Sequence, residues 1–262
     1  MIAIQTHRSA SQINKYAQCS EQYRLSYVDK PDEPFRPAAW LAQGTAFHEA
    51  VRVWEESGRS PHMNIIDHYN KFYDHEIERF TQEQPNPSEW MRSFKKSTAD
   101  DIKDRRRIGA EMAVSYTTYA KNNPFVIKEL NDYTYGIEVD FEVEIGGILI
   151  KGAVDQIWDE NTGIGIWDLK TGNREPQKFQ LGIYKVAMEK IFNIPVVKAG
   201  FYYAKDSKAV ALTSSDLARY DESYVGDVLS ALDRGIQNEV FIPNVGNHCT
   251  MCPVKKSCRE WN

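Results

Sequence analysis

The chain has 262 residues, 37 of them acidic and 32 basic, with a formal net charge of -5, a length that suits one large domain or two small ones. Charged residues at 26% and hydrophobic ones at 42% exclude wholesale disorder and collagen-like repeats, and no apolar run approaches the roughly 18 residues of a membrane span. The acidic balance excludes a protein that coats nucleic acid through global positive charge alone. Residues 1–20 lack the apolar stretch of a signal or transit peptide. The expected compartment is therefore reducing cytosol, where four cysteines do not form structural disulfides.

In chain order, Ser9 and Ser11 are good caps for a helix-compatible stretch over 8–28, and the Pro-rich run 31–37 breaks it. Trp40, Phe47, Val51 and Trp54 recur at near-helical spacing and predict a helix over 38–56, ended by Gly58. A second amphipathic helix is predicted over 62–83, before Pro85 and Pro87, and one or two more over 88–121. The last stretch carries Lys95, Lys96, Lys103, Arg105, Arg106 and Arg107, either a solvated helix face or a surface that tracks phosphates. After Pro124 the period changes to two. Residues 133–145 alternate as a strand, Gly146-Gly147 signals a hairpin, and 148–160 supplies its partner. Residues 164–172 read as a third strand, 173–176 as a loop, 177–192 as an amphipathic helix, 199–204 and 210–213 as further strands, and 216–238 as a helix. A helical first half and a mixed second half predict a single α/β domain over 1–262, with a helical insertion at about 60–121, a core at about 125–215 and a tail from about 241 to 262.

The cysteines are unevenly placed. Cys19 is alone near the start, while Cys249, Cys252 and Cys258 follow the spacing C-x2-C-x5-C near the end. Four thiolates suit an iron–sulfur cluster or a zinc ion, against the plain alternative of four unrelated free thiols. His248 could replace a thiolate in a zinc site or be an ordinary loop residue.

Asp168 and Lys170, two apart on one strand, project from the same face roughly 6–7 Å apart. Asp155 closes the neighbouring strand. Two carboxylates can hold a hard divalent cation, which polarises a phosphodiester oxygen and acidifies bound water. A lysine beside them can orient that water or stabilise developing negative charge. Alone, D-x-K also fits a surface salt bridge. Gln180 and Tyr184, at i and i+4, share one face of the next helix and have the chemistry to meet a phosphate or a base. His48 is a helical histidine beside Phe47, and Glu49 is expected to point elsewhere.

GTAFHEAV, GAVDQI, IWDLKTG and QLGIY, in this order, resemble the RecB-like branch of the PD-(D/E)XK nucleases. The four-cysteine frame is similar to that of its iron–sulfur members, among them AddB-type nuclease domains and CRISPR-associated RecB-like exonucleases. The resemblance spans Cys19 to Cys258. It implies a restriction-endonuclease-like α/β fold, a mixed central sheet flanked by helices, with a helical N-terminal region and a C-terminal cluster-binding tail closing onto Cys19. It implies Mg²⁺ or Mn²⁺ held by His48, Asp155, Asp168 and the Leu169 carbonyl, with Asp155, Asp168 and Lys170 catalytic. Gln180 and Tyr184 would help hold DNA. Cys19, Cys249, Cys252 and Cys258 would bind a [4Fe-4S] cluster, with Zn²⁺ as the alternative. The implied activity is DNA exonuclease, acting on single strands or duplex ends in recombination, repair or phage- and CRISPR-related processing. The alternative is a non-catalytic DNA-binding or adaptor subunit of a recombination complex. A recombination or repair protein could be a partner, no membrane is involved, and the host cytoplasm is the setting if the gene is a phage's. Two features depart from the wider family: Val154, not proline, precedes Asp155, and no G-x4-G-K-[ST] motor motif is present.

Overall fold

The computed structural model describes residues 7–93, 95–131, 134–172 and 178–261. The loop expected at 173–176 lies outside these. Helix α1 (Ala10–Gln18) begins where the Ser9 side chain accepts from the Gln12 N–H, as an N-cap hydroxyl does. The continuous helix expected over 8–28 breaks at Cys19, whose backbone is extended (φ -159°, ψ 102°), before a short turn α2 (Ser20–Tyr23) and a π-helical turn over Arg24–Asp29. The tail binds at the break, through the Ser20 hydroxyl and the Gln18 carbonyl. Ser20 Oγ donates to the Ile242 carbonyl at 3.0 Å and accepts from the Ile242 N–H at 2.6 Å. Asn244 Nδ2 donates to the Gln18 carbonyl at 2.7 Å.

Three long helices follow: α3 (Ala39–Glu56), α4 (Ile65–Glu83, capped by Asn64) and α5 (Thr98–Asn122, capped by Ser97). The helical stretch expected over 88–121 is a 3-10 turn at Pro87–Glu89 and then α5. The three helices bury Ala42, Ala46, Phe47, Tyr69, Tyr73 and Tyr116 in one apolar cluster that also takes in Leu169 and Tyr202 of the sheet. α4 and α5 approach closely at Gly109, where a Cβ would stand 1.9 Å from Tyr69 Oη.

A small antiparallel pair, β1 (Glu129–Asn131) and β2 (Thr134–Tyr135), precedes the main sheet. The described residues form a five-stranded sheet in the order β3 (Ile137–Ile145), β4 (Ile148–Glu160), β5 (Gly163–Lys170), β6 (Val196–Tyr203), β7 (Lys208–Ala211). All pairings are antiparallel except β5 with β6. That parallel pair needs a crossover, and α6 (Lys178–Phe192) supplies it. Gly146 and Gly147 turn the β3–β4 hairpin with φ of 59° and 76°. Two helices, α7 (Ser214–Ala218) and α8 (Glu222–Gln237), stand where one was expected over 216–238.

Alternation along the strands assigns the faces. Ile164 and Ile166 of β5 and Phe201 of β6 pack with Ile183 of α6 and Leu229 of α8, whereas Leu169 and Tyr202 face the α3–α5 layer. The expected architecture, a mixed α/β sheet flanked by helices with helices at the N-terminus, is what the chain adopts. The two layers are joined by a buried polar relay. Gln156 Nε2 of β4 donates to Tyr116 Oη of α5 at 2.5 Å, and Tyr116 Oη donates to Glu55 Oε1 of α3 at 2.6 Å.

Candidate metal centre and active site

β5 ends with Asp168, Leu169 and Lys170 at the seam between the two helical layers. The odd residue, Leu169, points its side chain toward α3–α5, and its peptide is held from both sides. The Leu169 N–H donates to Asp155 Oδ2 of β4 at 2.6 Å, and the Leu169 carbonyl accepts from His48 Nε2 of α3 at 3.0 Å. A carbonyl can only accept, so that contact places a proton on Nε2. The other ring nitrogen, Nδ1, lies 3.3 Å from Glu138 Oε1 and 3.5 Å from Asp155 Oδ1. Acceptors beside both nitrogens favour the imidazolium, and a divalent cation bound by the ring would displace one of its protons. Burial alone would lower its pKa, but Asp155, Glu138 and Asp168 overcome this and raise it to about 9.

The even residues point toward α6. Asp168 is buried; its Oδ1 accepts from Gln180 Nε2 at 2.8 Å, and its Oδ2 lies 2.7 Å from Lys170 Nζ. Lys170 Nζ also donates to Gln180 Oε1 at 3.3 Å, and Gln180 Nε2 reaches Tyr184 Oη at 2.7 Å. Gln180 thus touches both the acid and the lysine. Gln180 and Tyr184 are themselves buried, at 8% and 7% exposure, so they line the inner wall of the site. Burial pushes Asp155 up to about 7, against the lowering pull of His48 and with the help of Asp168 and Glu138. Burial also raises Asp168, with Lys170 opposing it.

His48, Asp155, Asp168, Leu169, Lys170, Gln180 and Tyr184 all meet at this seam. Glu49 turns away to pair with Arg52 at 2.7 Å. Glu138 of β3 is the one side chain of the cluster that sequence reasoning missed. Acids recur at 138, 140, 142 and 144 along the same strand, and period-two patterning cannot single one of them out. Among the described residues, His48, Glu138 and Asp155 are the one set of three or more possible ligands whose donor atoms lie within 4.8 Å of one another. Carboxylate oxygens, an imidazole and a nearby peptide carbonyl are a donor set that fits a hard divalent cation. Three acids crowded in a half-buried seam supply the charge such a cation would neutralise.

The four cysteines meet at the opposite end of the polar repertoire. Cys19, Cys249, Cys252 and Cys258 line one cavity, together with His248 and Trp261. Cys19 Sγ accepts from the Asn244 N–H at 3.5 Å and Cys249 Sγ from the Gly246 N–H at 3.4 Å. Burial raises the Cys252 thiol, the Val254 N–H lowers it, and Cys258, Cys19 and Cys249 raise it further. No three of these sulfurs lie within 4.8 Å of one another.

Four of the six basic side chains over 95–107 are engaged locally. Lys96 pairs with Asp104, Arg106 with Asp74 at 2.8 Å and Arg107 with Glu111 at 2.8 Å. Arg105 donates to Gln43 Oε1 at 2.9 Å and Ser93 Oγ at 2.8 Å. These four side chains read as a salt-bridged helix surface. No helix among the described residues is long and apolar enough to cross a membrane.

The family described as the PD-(D/E)XK nuclease superfamily matches residues 7–259. The chain is 34% identical over 259 residues to the Gene 69 protein of Mycobacterium phage D29, covering 96% of each. It is 29% identical over 278 residues to the Gene 69 protein of Mycobacterium phage L5, covering 96% of this chain and 95% of that one. The crystal structure of SSO0001 aligns with 96% of both chains at 16% identity and a TM-score of 0.35.

Proposed function

The chain belongs to the PD-(D/E)XK nuclease superfamily, and from that premise we propose that it is a metal-dependent DNA exonuclease acting on single strands or duplex ends. The observation that carries this reading is the clamped Leu169 peptide. It joins Asp155 and His48 on one side to Asp168 and Lys170 on the other, so acids, imidazole and lysine converge on one point. In this reading His48, Asp155, Asp168 and the Leu169 carbonyl hold Mg²⁺ or Mn²⁺. The bound cation would polarise a phosphodiester oxygen and supply a hydroxide-like water near neutral pH.

The residues of the chain do the rest. Asp155 and Asp168 present oxygens from adjacent strands, β4 and β5, whose spacing is fixed by the ladder. Lys170 Nζ offers its protons to the attacking water and to the phosphoryl oxygens as charge develops there. Gln180 holds Lys170 and Asp168 in register, so that neither must reorganise during the reaction. Gln180 and Tyr184, buried behind Asp168 and Lys170, would help hold DNA by supporting the groups that face its backbone.

The same proposal assigns Cys19, Cys249, Cys252 and Cys258 to a [4Fe-4S] cluster. Their shared cavity supports one site for all four thiolates, with Zn²⁺ as the alternative occupant. A cluster there would supply thiolate bonds between the first helix and the tail, a structural service with no part in hydrolysis. Two relatives come from mycobacteriophages, which supports the host cytoplasm and phage DNA processing as the setting.

The test is cleavage of labelled single- and double-stranded DNA, with the 5′ or 3′ end blocked, in Mg²⁺ or Mn²⁺. Stepwise shortening from an open end, lost in chelator, is the expected result. Binding without cleavage under every metal would instead identify a DNA-binding adaptor.

A further inference from the structure

Glu138 occupies an odd place in β3. The ladder pairs Ile137 with Gln156 and Val139 with Val154, which sets Glu138 across from Asp155. Like charges directly opposite each other destabilise an antiparallel pair. The backbone of Glu138 is also wrong for a strand: its φ is 46°. A residue with a Cβ is uncommon in this left-handed region and is disfavoured there. No hairpin demands it, because the β3–β4 turn lies at Gly146-Gly147, at the far end of the strand. The result of the distortion is to bring Glu138 Oε1 within 3.3 Å of His48 Nδ1. A strand is thus bent out of its own minimum to add a third acid beside Asp155 and Asp168.

The division of labour among the acids is informative. Asp168 is engaged by Gln180 and Lys170, whereas Glu138 and Asp155 share His48 as their common partner. The compact donor set is His48, Glu138 and Asp155. We propose that Glu138 is a direct ligand of the divalent cation, additional to the ligands assigned above, and that its left-handed backbone is the device that delivers it. This rests on the metal-dependent reading given under Proposed function. Strain of this kind persists where the surrounding structure imposes it, and it gathers at functional sites.

The test is Mn²⁺ binding by calorimetry, with thermal melting of the metal-free and Mn²⁺-loaded protein, for the parent, Glu138→Gln and Glu138→Gly. Mn²⁺ is the probe because it favours oxygen donors over the cysteine thiols. Glu138→Gln should weaken Mn²⁺ binding at least tenfold while melting, metal-free, at or above the parent's temperature, since one of the crowded charges is gone. Glu138→Gly should also bind weakly and should melt higher than the parent without metal, because glycine accepts the positive φ. If both variants bind Mn²⁺ as the parent does, Glu138 is no ligand, and the nuclease reading stands without it. If Glu138→Gln instead melts lower with affinity unchanged, Glu138 is only the ion-pair partner of His48. If the parent binds no Mn²⁺, this inference and the metal-dependent reading fall together.

Discussion

Gln180 is the residue on which the two halves of the proposed chemistry depend. Its amide nitrogen bonds Asp168 and Tyr184 while its carbonyl oxygen accepts from Lys170. Gln180→Leu keeps the volume and removes all of these contacts. Asp168 is buried, so one of its oxygens would lose its donor, a cost of about 1–3 kcal/mol in stability. Loss of alignment should slow cleavage at saturating DNA by about ten- to a hundredfold, with DNA affinity changed less, and a kcat-against-KM comparison checks this. At this scale the sequence was a partial guide. D-x-K spacing placed Asp168 and Lys170 on one face, and Q-x-x-x-Y placed Gln180 and Tyr184 together. Their burial was not legible, because i,i+4 spacing gives a shared helix face without saying what that face meets. Glu138 was not legible at all, since its distinguishing feature is a backbone angle and not a residue type.

Among the elements, the helical layer is held to the sheet by a polar relay as well as by apolar packing. Glu55, Tyr116 and Gln156 bond in series, and Arg59 Nε donates to Glu55 Oε2 at 2.8 Å. Tyr116→Phe removes the central hydroxyl and leaves buried partners short of a bond. It should cost about 1–3 kcal/mol, read as a lower denaturant midpoint with an unchanged m-value. Gly109 is the contact point of α4 with α5. A methyl there would overlap the Tyr69 hydroxyl, so Gly109→Ala should destabilise by about 1–3 kcal/mol and lower the melting temperature by several degrees. The hairpin, the sheet strands and the long helices were legible from periodicity and turn residues. The breaks within the helical stretches at Cys19 and at residues 219–221 were not. Beside Cys19 the Gln18 carbonyl, which a continuous helix would satisfy, accepts instead from Asn244 of the tail, 226 residues distant.

Across the whole molecule, the tail returns to the first helix. Ser20 and Gln18 hold Ile242 and Asn244, Tyr16 Oη donates to the Val240 carbonyl at 2.6 Å, and buried Arg8 pairs with Asp233 at 2.6 Å. The four cysteines lie at this closure, and cross-linking so long a loop constrains the unfolded chain strongly. Anaerobically purified protein should be brown with about four irons per chain. Cys258→Ser should bleach it and lower its melting temperature, whereas stoichiometric zinc in a colourless protein would overturn the cluster. The acidity noted at the outset acquires a local meaning: three of the acids converge on one seam with His48 and Lys170. The most direct test of that convergence is the single-turnover rate of DNA cleavage in Mn²⁺ for the parent and Lys170→Met. The account predicts a parent rate that vanishes in chelator and a fall of about a hundredfold or more in the variant, with Mn²⁺ binding retained. Equal rates for the two proteins would contradict it.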